Sequence, residues 1–247
     1  PGRQEEKHPQ TIVYAGKIAK NWNIIELIRI MEKLQEKAPQ IRLHFIGSKV
    51  NPELADQKEK IFERLNHMDN IIFHGSLPHS QTQKITRTCS LGYSFRSRKV
   101  DHDHSLELSV KLLEYCHSGV PMVLRRTRMH EAVLGADYPL FVESEEECLK
   151  KILEVFADPV LWEQAKSCLL SAAERFSVSR VYETAKKALE IYPKKELRLL
   201  ISGHDLKFLK PLFPYFSAKY KLEVQELDEY MELSVKEAGQ YLQRADI

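Results

Sequence analysis

The chain has 247 residues, of which 43% are hydrophobic and 29% are charged, and its formal net charge at pH 7 is +2. This length is enough for one large or two ordinary domains with a buried core. A charge so close to zero excludes a strong basic field of the kind that binds nucleic acid, so any anion site must be built locally.

The composition also bears on the cellular compartment. No apolar run reaches the roughly 20 residues of a membrane-spanning helix, and residues 1–10 are predicted to be a polar lead-in rather than a signal peptide. The four cysteines, at positions 89, 116, 148 and 168, lack metal-like spacing and lie in apolar contexts. Reduced core thiols and a cytoplasmic location are therefore expected.

Strands and helices alternate along the first part of the chain. Three apolar runs end in glycine, and they are Thr11–Gly16, Ile41–Gly47 and Asn70–Gly75. Apolar residues at helical spacing predict helices over 23–37 and 52–65 between these runs. The alternation predicts parallel βαβ units and therefore an α/β fold with a Rossmann-like, doubly wound parallel sheet.

The same alternation continues to residue 192 and then begins again. The predicted elements are a helix at 80–88, a strand at 91–95, a loop at 96–105, a helix from residue 109, strands at 120–124 and 140–142, and helices within 144–192. We predict one domain over 11–192 and a charged linker at 193–196. Residues 197–247 are predicted to be a partial second βαβ unit, the truncated start of another Rossmann-like domain, in which His204 follows the first strand.

The segment from Ser109 to Leu124 carries the most specific pattern. Ser109 can cap a helix that ends at Gly119, and a buried strand is predicted directly after it. Ligands of open α/β sheets bind outside the carboxyl ends of the strands.

The start of this helix is therefore predicted to face a ligand crevice. The backbone amides of Val110, Lys111 and Leu112 would point into the crevice, which suits an anionic diphosphate. A serine that starts a helix and binds nothing is the alternative.

The pattern Lys111-x-x-Glu114-Tyr115-x-x-x-Gly119-x-Pro121 resembles the donor-binding signature of retaining glycosyltransferases of family 4, also called group 1, which have the GT-B fold. The resemblance extends over residues 11–192 and implies a carboxyl-terminal nucleotide-sugar-binding domain. It implies transfer of a sugar from a nucleoside diphosphate sugar with retention of configuration, and a UDP-sugar is favoured. The helix start would face the diphosphate, and Glu114 would hold the ribose.

The resemblance has consequences for cofactors and partners. It implies no metal cofactor, no nucleic acid, an acceptor of unknown identity and a facing amino-terminal GT-B domain. The context expected on family grounds is bacterial polysaccharide or glycoconjugate synthesis, and a peripheral membrane association of the full-length protein stays open. Without the facing domain, this chain is expected to bind the donor with little or no transfer.

Two loop lysines are candidates for charge stabilisation. The family has Gly-Arg where this sequence has Gly16 and Lys17, so the resemblance implies that Lys17 is catalytic, although lysine cannot make the forked contact of arginine. Lys20 is a donor-binding candidate at an unusual spacing, and Trp22 stands near the place of the second basic residue. Solvated loop lysines and a packed tryptophan are the alternatives.

The loop after the third strand resembles the family's base-binding loop. Gly75, Ser76 and Leu77 are therefore donor-binding candidates through backbone contacts, and an ordinary strand exit is the alternative.

The acid that the family places ahead of the ribose-binding glutamate is missing. Its position is occupied by Leu106, with Glu107 one place later and Asp103 three places earlier. Glu107 is the catalytic candidate, although an altered or impaired sugar site is also possible. The charged loop 96–105 leaves three alternatives open, which are a solvated loop, contacts to sugar or acceptor, and a metal site.

Four further residues and two other functions complete the alternatives. Arg125, Arg126 and Arg128 are expected to face an anion or solvent, and Glu131 is expected to be architectural. A non-catalytic scaffolding or regulatory module with this fold, and a nucleotide-sugar 2-epimerase, are the rivals to a glycosyltransferase.

Overall fold

The computed structural model of the chain describes residues 10–105, 107–191, 196–202, 210, 214 and 221–227. The chain divides into two compact units, residues 1–181 and 182–247. Six strands form the sheet of the first unit: β1 (Thr11–Ala15), β2 (Arg42–Ile46), β3 (Ile71–Gly75), β4 (Leu91–Ser94), β5 (Met122–Arg125) and β6 (Phe141–Val142). All neighbouring strands are parallel, in the order β3-β2-β1-β4-β5-β6. The predicted doubly wound α/β sheet is confirmed.

Eight α-helices accompany the strands in the described residues. They are α1 (Ile24–Lys37), α2 (Lys58–His67), α3 (His79–Thr88), α4 (Val110–Ser118), α5 (Arg128–Leu134), α6 (Glu145–Ala157), α7 (Pro159–Arg175) and α8 (Val178–Ile191). In α1 six of the seven apolar residues are buried in the core, and the seventh, Ile25, is partly buried and packs against it. Burial of each such side chain contributes about 1.5 to 3 kcal/mol, so packing rather than intrinsic propensity holds these helices.

Two elements start later than the sequence predicts. Residues 52–57 form a 3-10 helix ahead of α2, with Pro52 at its first turn. Strand β5 begins at Met122 because the Val120 amide still donates to the Tyr115 carbonyl, which closes α4, and because Pro121 has no amide hydrogen to give to a ladder.

The predicted helix start at Ser144 is confirmed in detail. The Ser144 hydroxyl accepts from the Glu147 amide at 3.1 Å. The Glu147 carboxylate accepts from the Glu143 amide at 2.7 Å, so the reciprocal bond of the capping box is displaced by one residue. These bonds satisfy amides that would otherwise lack a partner at the start of α6.

The cysteines are thiols of the core, as predicted. Cys89, Cys116 and Cys148 are free and buried, and Cys168 is free and half-buried. Burial raises the pKa of the Cys89 thiol to about 11 and that of Cys116 to about 12, which makes both unreactive. In the described part of the chain, every helix is too short or too polar to cross a lipid bilayer.

The second unit contains a parallel pair of strands, β7 (Glu196–Ser202) and β8 (Lys221–Leu227). Residue His204, which the sequence places after the first strand of this unit, lies outside the described residues. That residues 197–247 open another Rossmann-like domain stays a prediction.

Candidate functional site

A crevice lies at the carboxyl ends of β1 and β4. These neighbouring strands are the point at which the strand order reverses, because the chain leaves β1 toward β2 on one side and leaves β4 toward β5 on the other. Such a switch point is where open parallel sheets bind ligands. Strand β1 leads into Gly16 and Lys17, β4 leads into Arg96, and α4 begins nearby.

The start of α4 has amides that no serine hydroxyl satisfies. Ser109 occupies the N-cap position with extended backbone, but its side chain makes no cap hydrogen bond, so the predicted serine cap is wrong. The first-turn amides of Val110, Lys111 and Leu112 therefore remain suited to an external anion. At the other end, Gly119 has φ +65 and donates to the Cys116 carbonyl, as predicted.

Tyr115 joins α4 to the central strand. Its hydroxyl donates to the Val13 carbonyl of β1 at 3.2 Å, and its ring is buried against Gly92 of β4. The helix start is thereby fixed relative to both strands of the switch point, which keeps the crevice preformed.

Lys111 sends its side chain back across the loop after β1. Its ammonium lies 4.4 Å from the centre of the Tyr14 ring, and a Cβ on Gly16 would stand 2.4 Å from the Lys111 Nζ atom. No carboxylate pairs with this ammonium among the described residues. Burial, followed by the nearby charges of Arg96 and Lys17, lowers the pKa of Lys111 to about 7, while Glu114 acts in the opposite direction.

The two loop lysines differ from Lys111 in their surroundings. The Lys17 ammonium lies 4.1 Å from the centre of the Trp22 ring, and the Tyr14 hydroxyl donates to the Lys17 carbonyl. Lys20 is exposed, and its backbone amide donates to the Glu53 carboxylate at 3.0 Å. The structure therefore places Lys17 at the crevice, resting on a tryptophan that also packs against the core.

Arg96 and Asp101 form a buried ion pair behind the crevice. Arg96 Nη2 and Asp101 Oδ1 are 2.5 Å apart, Arg96 Nε and Asp101 Oδ2 are 3.2 Å apart, and the two side chains are 7% and 2% exposed. The loop after β4 is therefore anchored at this pair rather than solvated throughout, because a buried guanidinium needs a partner. His102, Asp103 and His104 are exposed.

Glu107 reaches the edge of this ion pair. Its carboxylate oxygen stands 3.8 Å from Arg96 Nη1, and its side chain is 66% exposed. Asp103 accepts from the Arg128 amide at 3.3 Å, and Leu106 lies outside the described residues. Of the two acids considered at the sugar position, Glu107 is the one in contact with the crevice wall.

Glu114 opens onto a shallow cleft between α3 and α4. The cleft is lined, among others, by Ala15, His79, Thr82, Lys111, Glu114 and Tyr115. Glu114 Oε1 stands 3.7 Å from His79 Nδ1. His79 was not predicted from the sequence as a site residue. The only feature of the sequence that could have indicated it is its position at the start of the helix that follows the Gly75–Pro78 loop.

The predicted base-binding loop lies at the other end of the same sheet edge. Gly75 has φ +63, the Ser76 hydroxyl is 2.7 Å from that of Ser48, and Leu77 packs against the core. These residues follow β3, two strands away from β1. They share the carboxyl edge with Lys17, Lys111 and Glu114 but do not line the cleft between α3 and α4.

Residues after β5 support the crevice rather than facing an anion. Arg125 is buried and donates to the Arg96 carbonyl at 2.9 Å and to the Glu143 carboxylate at 2.8 Å. Arg126 pairs with Glu131 at 2.7 Å, which gives Glu131 the architectural role expected of it. In the part of the chain that the structure describes, no three His, Cys, Asp or Glu side chains form a metal-binding group.

The parallel six-stranded sheet, its switch point and the flanking helices define a Rossmann-like α/β domain. The chain belongs to the group 1 glycosyl transferases, whose family model matches residues 2–175. No curated protein matches the chain.

Several solved structures share the fold. The GtfA/B complex has a TM-score of 0.58 at 18% identity, over 76% of this chain and 37% of that one. Anabaena HepE in complex with UDP has a TM-score of 0.59 at 13% identity, over 74% and 49% of the two chains. The carboxyl-terminal domain of LpcC from Francisella tularensis, a group 1 protein, has a TM-score of 0.56 at 17% identity, over 70% of this chain and 93% of that domain.

The chain is shorter than most of these proteins. It spans 36% of the pneumococcal O-GlcNAc transferase GtfA, whose structure contains UDP and GlcNAc, and this match has a TM-score of 0.57 at 17% identity over 76% of the present chain.

Proposed function

We propose that the crevice binds a nucleoside diphosphate sugar and that the domain is the donor-binding half of a retaining glycosyltransferase. The observation that carries the proposal is Glu114, which lines a cleft together with Lys111 at the start of α4, whose ammonium pairs with no carboxylate in the described part of the chain. A carboxylate can accept hydrogen bonds from the ribose hydroxyls, and a cation beside the first-turn amides of α4 can hold the phosphates. This combination matches the chemistry of a nucleoside diphosphate. The UDP complexes of GtfA and HepE support a UDP-sugar.

Each group has a role in this proposal. Glu114 accepts hydrogen bonds from the two ribose hydroxyls. The amides of Val110, Lys111 and Leu112, with Lys17, stabilise the charge that develops on the departing diphosphate. The backbone of Gly75, Ser76 and Leu77 contacts the base where the donor extends along the sheet edge, and Gly16 lets the phosphates approach the chain closely.

The transfer step needs groups from outside this domain. The sugar–phosphate bond breaks, the diphosphate leaves with the bonding electrons, and the acceptor hydroxyl attacks from the same face and gives its proton to the departing phosphate oxygen, so configuration is retained. Glu107 stabilises positive charge on the sugar. The acceptor is held by a facing amino-terminal domain, so these 247 residues alone bind donor with little or no turnover. Assembly of bacterial polysaccharide or glycoconjugate at the cytoplasmic side of a membrane is the proposed context.

A second candidate function is a non-catalytic module that binds the nucleotide. The observation in its favour is the sugar position, where Leu106 replaces an acid and Glu107 is 66% exposed and only loosely placed against Arg96. Such a module would bind UDP yet show neither transfer nor hydrolysis of UDP-sugars when joined to its facing domain. Donor consumption by the joined domains would exclude it.

Calorimetric titration with UDP and GDP tests the donor site. We expect one of the two nucleotides to bind and the Glu114→Ala variant to lose about 1 to 3 kcal/mol of binding free energy, because a charge-assisted hydrogen bond is removed. Glu154→Ala is the matched control, since Glu154 on α6 is 36% exposed against 41% for Glu114 and also contacts a basic side chain. Absence of binding by both nucleotides, or an equal loss in both variants, would contradict the proposal.

A further inference from the structure

Two cations in the crevice, Lys17 and Lys111, rest on aromatic rings, and no carboxylate pairs with either of them in the described residues. Arg96 forms an ion pair with Asp101, in which Nη2 and Oδ1 are 2.5 Å apart, and the Lys17 ammonium lies 4.1 Å from the centre of the Trp22 ring. Lys111 has only the face of the Tyr14 ring at 4.4 Å, and no carboxylate pairs with it in the described ranges. Holding a half-buried ammonium beside two other cations is unfavourable, and an anionic ligand would reverse that cost.

The position of the Lys111 ammonium depends on Gly16. A methyl group on Gly16 would stand 2.4 Å from Nζ and 3.0 Å from Cε of Lys111, so any side chain there would displace the lysine. Helical side chains point back toward the amino terminus, which brings the ammonium toward the amides that open α4. The ammonium therefore lies at the end of β1, on the amino-terminal side of its own residue in α4.

We propose that Lys111, seated between Gly16 and Tyr14, is the main cation that holds the donor diphosphate, and that donor binding is accompanied by uptake of a proton at Lys111. This inference rests on the proposed function. The sequence alone points to the backbone amide of Lys111 and to the loop lysines as the groups that hold the phosphates. Here the side chain of Lys111 takes that role as well.

The proton uptake follows from the electrostatics of the crevice. In the free protein the pKa of Lys111 is about 7, so the ammonium is only partly protonated at neutral pH. The groups that face it are Tyr14 from β1, Lys17 after β1, Arg96 after β4, and Glu114 on its own helix, with His79 of α3 lining the same cleft. A bound diphosphate raises the pKa of Lys111, so binding draws a proton from solution.

Titration of the chain with UDP-glucose in buffers of different ionisation enthalpy measures this proton. UDP-glucose is the probe because each of its phosphates carries one ester and one anhydride bond and keeps only a strongly acidic oxygen, which does not titrate near neutral pH. We expect uptake of about half a proton at pH 7 and nearly one at pH 8, and affinity that falls by about tenfold between pH 7 and pH 8.5. Below pH 7 the affinity is expected to level off.

Substitutions identify the residue that takes the proton. Lys111→Met is expected to bind at least about tenfold more weakly and to lose both the proton uptake and the pH dependence, as follows from removing a charge-assisted contact. His79→Gln is expected to retain the uptake. Gly16→Ala is expected to weaken binding and reduce the proton uptake as Lys111→Met does, because the added methyl group displaces the ammonium although Lys111 itself is still present.

The outcomes separate this inference from the proposed function. Binding that depends on Glu114 but is unchanged in affinity and proton uptake in Lys111→Met would overturn the role of Lys111 and leave the donor site intact. Uptake that disappears in His79→Gln would also overturn it. Failure of both UDP-glucose and GDP-glucose to bind the unsubstituted chain would overturn both. The proton count of the unsubstituted chain does not depend on the folding of any variant.

Discussion

The Asp101→Ala variant is expected to lose about 3 to 5 kcal/mol of its free energy of unfolding, because it leaves the Arg96 guanidinium buried without its carboxylate partner. Arg96 is 7% exposed and cannot turn its charge to water without moving the loop after β4. Chemical denaturation followed by circular dichroism measures the loss.

The exposed pair Arg126–Glu131 provides the control for Asp101. Its two charges are 2.7 Å apart but 48% and 32% exposed, so Glu131→Ala is expected to cost less than about 1 kcal/mol. Similar losses in the two variants would show that the Arg96–Asp101 pair is not desolvated. Asp101→Ala is also expected to weaken nucleotide binding, because the loop that carries Glu107 against Arg96 loses its anchor.

The Gly47→Ala variant is expected to lose about 2 to 4 kcal/mol of its free energy of unfolding, since two effects add. Gly47 has φ +127, a conformation that side-chain-bearing residues rarely adopt, and a Cβ there would stand 1.9 Å from the Gly16 carbonyl oxygen. The atom that it meets is backbone and cannot swing aside. Because the Gly16 loop must move, donor affinity is expected to fall with stability, and denaturation and calorimetry together measure the two losses.

Gly75→Ala separates strain from steric overlap. Gly75 has φ +63, but a Cβ there would meet nothing within 4 Å. The Gly75→Ala variant is expected to lose about 1 to 2 kcal/mol of its free energy of unfolding, which is the cost of a left-handed backbone conformation for an L residue. If Gly47→Ala cost no more than Gly75→Ala, the close approach of the two loops after β1 and β2 would not exist.

The sheet was predictable because local signals agree with the global fold. The apolar runs that end at Gly16, Gly47 and Gly75 become β1, β2 and β3. Gly47 and Gly75 both have positive φ, so each glycine marks a real turn. Element ends were less predictable, and β5 shows why: Val120 looks like a strand residue, but its amide is committed to the C-terminal cap of α4.

The chemistry of the crevice was predictable only in part. The position of Glu114 on the helix after β4 follows from local spacing, since one helix carries the whole motif. The position of the Lys111 ammonium depends on contacts with Gly16 and Tyr14, which are distant in the sequence. No local pattern around Lys111 predicts these contacts. The same holds for His79, which meets Glu114 only because α3 packs against α4.

The loop after β4 shows the opposite difficulty. Its density of charge suggests a solvated loop, a sugar contact or a metal site. The structure buries Arg96 and Asp101 and leaves His102 and His104 exposed. Sequence alone cannot separate these cases, because a charged residue is buried only when tertiary packing brings it a partner.

Amide chemical shifts of the isotope-labelled chain, followed during titration with UDP and with GDP, show directly whether this crevice is the donor site. With the nucleotide that binds, we expect the largest changes at Gly16, Lys17 and Glu114 and at the amides that open α4, with smaller changes along the Gly75–Leu77 loop. No change is expected at Glu154 on α6. Changes confined to other faces of the sheet, or none at saturating concentrations of either nucleotide, would contradict the assignment of this crevice as the donor site.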